Sequence, residues 1–97
     1  MVDLFEKGEK IGEEICKKYK ITLIDGVPQK PENHEKIGLS MTMEYIGMAY
    51  TLGNLLYDGL KSEEEKEKAK DLGGRMGILK FLLVNCLDYK PFYEPMQ

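Results

Sequence analysis

Residues 37–60 read IGLSMTMEYIGMAYTLGNLLYDGL, a 24-residue stretch with two charges, Glu44 and Asp58, and no lysine. The rest of the chain is crowded with Lys and Glu. At helical spacing, Ser40, Glu44, Gly47, Thr51, Asn54 and Asp58 share one narrow strip, with steps of 4, 3, 4, 3 and 4. The remaining circumference carries two apolar seams. One runs through Ile37, Met41, Met48, Leu52 and Leu55, the other through Leu39, Met43, Ile46, Tyr50, Gly53 and Tyr57. A helix at a protein surface needs one apolar stripe to face its core. This helix has two, so one seam is expected to face its own chain and the other a partner.

Downstream, Gly59, Lys61 and Ser62 mark a short turn, and Ser62 followed by Glu65 has capping-box spacing. Two antiparallel helices joined as a tight hairpin are therefore expected, over 34–60 and 62–90. The second of them changes character midway. Residues 63–71 are solvated, whereas from Ile78 to Leu87 only Lys80 is charged. Pro91 is expected to stop that helix and leave a stiff aromatic tail over 91–97.

Upstream, residues 3–20 form an amphipathic helix with Leu4, Phe5, Ile11, Ile15, Cys16 and Tyr19 on one side. Asp3 is its expected N-cap, and Lys17, Lys18 and Lys20 suit its C-terminal end. Residues 21–33 break the pattern. Ile21-Thr22-Leu23-Ile24 is β-like, Asp25-Gly26 is a turn signal, and Pro28 and Pro31 oppose regular structure. Leu23, Ile24 and Val27 are expected to cover the open end of the bundle, with a binding loop as the alternative. Asn33 is the expected N-cap of the second helix.

Composition narrows the function classes. The chain of 97 residues is one domain, 42% apolar and 32% charged, with net charge −3. Thirteen Lys and one Arg against an acidic excess make no basic field, which disfavours nucleic acid as a partner. The N-terminal sequence lacks the basic and apolar regions of a signal peptide. Polar residues through 37–60 also argue against a membrane span, so a cytoplasmic protein is expected. Cys16 and Cys86 fall on apolar faces and read as core residues. With one His and no metal-ligand spacing, no metal site, cofactor or catalytic constellation is assigned.

Two features remain. Glycines inside helical patterns (Gly8, Gly12, Gly38, Gly47, Gly53, Gly73, Gly74 and Gly77) point to close helix–helix approach. Arg75, the single arginine, suits an ion pair with Glu44 or Asp58, or an anion or partner contact.

The expected fold is all-α: a three-helix domain containing an antiparallel hairpin, completed as a homodimeric helical bundle. Leu39, Met43, Ile46, Tyr50, Tyr57 and Phe81 are the expected oligomer interface. The expected function is non-catalytic, a helical interaction or regulatory protein that binds itself and docks another protein. The alternative is a small-ligand binder or small enzyme, with a site at the subunit junction built from Glu44, Tyr45, Asn54, Asp58 and Arg75.

Overall fold

The computed structural model describes residues 2–94, with side chains from residue 8 onward. The chain is mostly helical. Its elements are α1 (Val2–Lys18), β1 (Leu23–Ile24), β2 (Val27–Pro28), α2 (His34–Tyr57), α3 (Glu63–Phe81) and α4 (Lys90–Tyr93). A π-helical turn, Leu82–Cys86, continues α3. The expected N-cap Asp3 lies inside α1, and its side chain is outside the described residues, as are those of Leu4 and Phe5.

Residues α2 and α3 use to reverse direction are the ones the sequence singled out. The α2 C-terminus closes with Leu60 N–H donating to the Leu55 carbonyl (3.3 Å) and Gly59 N–H to that of Leu56 (3.0 Å). Gly59 supplies the left-handed conformation this closure needs, φ +85°. Ser62 then caps α3, its hydroxyl accepting from the Glu65 N–H at 3.1 Å. Asn33, by contrast, makes no side-chain cap.

Antiparallel pairing lays the apolar end of α3 beside the start of α2, and the core forms there. Met41, Leu79, Leu83 and Leu87 are completely enclosed, with Ile15, Cys16, Ile21, Ile37, Leu82 and Cys86 around them. Among the described residues no polar or charged side chain is buried. Both cysteines are free. Burial pushes both thiols up in pKa, and the neighbouring Cys86 adds to the effect on Cys16. Toward its other end α2 meets the solvated half of α3, and Met48, Leu52 and Leu55 are only half-buried.

Three local expectations are corrected. The third helix ends at the π-helical turn rather than at residue 90, because Asp88 turns left-handed (φ +48°) and Tyr89 N–H bonds back to the Leu83 carbonyl at 2.8 Å. Pro91 does not stop that helix. It sits in the first turn of α4, where a missing N–H costs nothing. Residues 21–33 contain an antiparallel hairpin pairing Leu23 with Pro28 and Ile24 with Val27. Asp25 and Gly26 both have positive φ, 52° and 79°, as in a type I′ turn, and Pro28 is tolerated because its strand has a free edge. Ile24 and Val27 stand exposed at 56% and 58%, so the hairpin does not seal the bundle.

The tail folds back. Phe92 meets Tyr45 edge to face, with ring centroids 5.0 Å apart, and Tyr89 crosses α2 over Gly38. Residues 95–97 of the expected aromatic tail lie outside the described residues.

Candidate functional site

The two seams of α2 separate as the helix packs. Ile37 and Met41 are buried and line the core. Leu39, Met43, Ile46, Tyr50 and Tyr57 face outward, 54%, 66%, 59%, 73% and 92% exposed. Over 27 Å of helix by the usual rise of about 1.5 Å per residue, this face carries no charge. The two tyrosines alone present roughly 300 Å². Single exposed apolar residues are ordinary on a protein surface, whereas a continuous row of this length is not.

The subunit is also flat and open. The Cα radius of gyration is 14.5 Å and the thinnest dimension 19 Å. A compact domain of this length has a radius near 12.5 Å by the usual scaling. The accessible surface is 7366 Å² for 11.1 kDa. A compact monomer of that mass exposes about 5,700 Å². The surplus of about 1,700 Å² is roughly twice what one subunit hides in a standard interface.

Phe81, grouped with this seam in sequence, lies elsewhere. It is 54% exposed and lines a cleft of about 310 Å³ between α1, the hairpin and α3. Leu23, Pro28, Ile78 and Cys16 form apolar walls, Gly12 bares its backbone, and Glu9 and Glu13 add carboxylates.

The five residues expected at a ligand site do not converge within the subunit. Glu44 is held by α1. Tyr19 Oη donates to its Oε2, and Lys18 Nζ donates to its Oε1 at 2.9 Å. Burial raises the Glu44 pKa, but the bonds from Tyr19 and Lys18 and the charges of Lys18 and Arg75 outweigh it, leaving the carboxyl below its ordinary value. Burial and then the bond to Glu44 push the Tyr19 phenol up. Arg75 does not pair directly with Glu44 or Asp58. Its Nε donates to Asp71 Oδ2 at 3.1 Å, and a terminal nitrogen reaches Glu14 Oε2 at 3.4 Å. Asp71 is one helical turn back on the same face, and the packing of α1 on α3 brings Glu14 across.

Tyr45 is half-buried against Phe92, while Asn54 and Asp58 are exposed, about 15–21 Å along the helix from Glu44 by the helical rise. The polar strip is thus divided. Glu44 clasps α1, Thr51 Oγ1 returns to the Gly47 carbonyl at 3.1 Å, and the remainder faces outward beside the apolar seam.

Sequence reasoning did not single out Tyr19 as a polar partner, although it adjoins the lysines ending α1. The Asp71–Arg75 spacing of four was a usable signal for that ion pair. Close helix approach does not explain the glycines within the subunit. A Cβ at Gly8, Gly12, Gly47, Gly53, Gly73, Gly74 or Gly77 would meet nothing within 4 Å. Only Gly38 is crowded, and by an aromatic ring rather than a helix.

Among the described residues no three His, Cys, Asp or Glu side chains gather as a metal site, and no helix is long and apolar enough to cross a membrane. No protein-family model matches the chain, and neither the curated proteins nor the solved structures yield a match.

Proposed function

We propose that this protein is a non-catalytic, self-associating helical module that presents a second surface to another protein. The observation that carries this is the uncharged outer seam of α2, exposed from Leu39 to Tyr57, which nothing among the described residues covers. Burial of such a row is the main driving force of association. The surplus surface of the flat subunit supports the same conclusion.

The second surface is the cleft formed by α1, the hairpin and α3. An apolar floor with Glu9 and Glu13 beside it suits a protein segment that offers an apolar side chain next to Lys or Arg. The alternative, a small-ligand site or small enzyme at a subunit junction, has less support. Glu44 and Arg75 are engaged by Tyr19, Lys18, Asp71 and Glu14, and Asn54 and Asp58 stand well away from them.

Sedimentation equilibrium of the purified chain tests self-association, with a concentration-dependent dimer as the expected result. A monomer throughout the micromolar to millimolar range would refute it. For the second surface, a basic amphipathic helical peptide should shift the amide resonances of Gly12, Ile78 and Phe81, and less strongly in Glu9→Lys/Glu13→Lys. No shift in the unmodified protein would rule out the cleft as a docking surface of this chemistry.

A further inference from the structure

Resting on the self-association proposed above, the partner of the α2 seam can be identified more closely. We propose that it is the same seam of a second copy, running antiparallel and centred on Met48. The exposed residues Leu39, Met43, Ile46, Tyr50, Gly53 and Tyr57 follow one another at steps of 4, 3, 4, 3 and 4, the 3.5-residue repeat of a two-helix seam. That order is symmetric about residue 48. Reversed against itself, it sets Leu39 opposite Tyr57, Met43 opposite Gly53, and Ile46 opposite Tyr50.

Large meets small where Met43 faces Gly53, so the methionine fills the space the glycine leaves. A parallel pairing in register would instead place Gly53 on Gly53 and each tyrosine on its own copy, alternating voids with overcrowding. The flanks agree with the antiparallel choice. Gly47 and Ala49 lie beside the two-fold axis, where the helices approach most closely, and a Cβ on Gly47 meets nothing in its own subunit. At the ends, Lys36 comes within two residues of register with the second copy's Asp58, an axial offset of about 3 Å that a lysine side chain can span, and both are exposed. Parallel pairing would put Lys36 against Lys36 and Asp58 against Asp58. Antiparallel helices also oppose their dipoles favourably. The contact is isologous, so the assembly closes as a dimer.

Pulsed electron–electron spin resonance on the full chain tests this register, with nitroxide labels on Lys36→Cys and Asp58→Cys. Cys16 and Cys86 are buried, and the unsubstituted chain carried through labelling provides the background. Equivalent positions in an antiparallel pair separate by about 3 Å for each residue from the centre, twice the helical rise. Lys36→Cys dimers should therefore show separations above about 30 Å, and Asp58→Cys dimers about the same. A mixture of the two labelled chains should add a short-distance population.

A dimer with short distances between like labels, and none between unlike ones, would overturn the antiparallel register and leave self-association standing. A monomer would remove both. Gly47→Leu is the second measurement. It enters open space in the subunit, so the folded monomer should keep its helical circular dichroism while dimer affinity falls tenfold or more. Unchanged affinity would overturn the placement of Gly47 at the centre of the contact.

Discussion

Replacing Tyr50 by glutamate perturbs the outer seam of α2 at the position of greatest exposure short of its end. The ring is 73% exposed in the subunit, so little of the subunit's own packing is lost. A tyrosine carries roughly 200 Å² of side-chain surface, which leaves about 150 Å² for a partner to hide. At about 25 cal/mol per Å² that burial is worth up to ~4 kcal/mol for each ring. A symmetric dimer contains two rings, and each glutamate adds the cost of placing a carboxylate against apolar side chains. Even if only half of the burial is realised, the loss is about 3–4 kcal/mol per dimer, or two to three orders of magnitude in Kd. Sedimentation velocity over a dilution series, beside Tyr50→Phe as a control that keeps the ring, measures the effect. The expected outcome is a folded, monomeric Tyr50→Glu chain and a dimeric Tyr50→Phe chain. A Tyr50→Glu dimer as tight as the unsubstituted protein would refute the assignment of this face as the interface.

Three further outcomes concern the subunit itself. Gly38→Ala puts a Cβ within 2.5 Å of the Tyr89 ring, so overpacking of about 1–3 kcal/mol should outweigh the gain in helix propensity of about 1 kcal/mol. Gly73→Ala, on open surface, should gain that propensity without a clash, and urea denaturation giving both variants equal stability would contradict the crowding. The Glu44 pKa is lowered on folding, so its contribution is present above the ordinary value of 4.5 and lost as pH falls through the lower folded value. The Tyr19 pKa is raised, so its contribution is complete below 10.0 and declines as pH rises beyond it. Thermal melts across pH should therefore fall off at both extremes, and Glu44→Gln should flatten the acid limb; an identical acid limb would remove the Tyr19–Lys18–Glu44 clasp from the account. Finally, Lys20 lies in the turn just after α1 with φ +57°, a conformation costing a side-chain-bearing residue about 1 kcal/mol. Lys20→Gly should raise Tm by a few degrees, and a lowered Tm would show that the lysine makes a compensating contact.

Residues with a local mechanism were legible in the sequence. Ser62 and Gly59 announced the reversal between α2 and α3, and Asp25-Gly26 announced the hairpin turn, because capping and left-handed backbone depend only on neighbouring residues. The two apolar seams of α2 were equally visible, since periodicity alone sorts a helix into faces. Helix ends were less legible where they depend on distant packing. Pro91 read as a helix stop, yet the chain had already turned at Asp88 to bring Tyr89 over Gly38.

Sequence by itself therefore determined that the chain is helical, that α2 and α3 form a hairpin, and that α2 has more apolar surface than one face can use. Tertiary structure decided which seam faces inward, because the apolar end of α3 and the end of α1 together cover only the side of Ile37 and Met41. It also decided the fate of the charges. Glu44 was taken by Tyr19 and Lys18, and Arg75 by Asp71 and Glu14, according to which helices came within reach of their side chains. Helical phase is a property of neighbours along the chain, whereas a choice between two equally apolar faces, or between carboxylates on different helices, is settled only by what packs beside them.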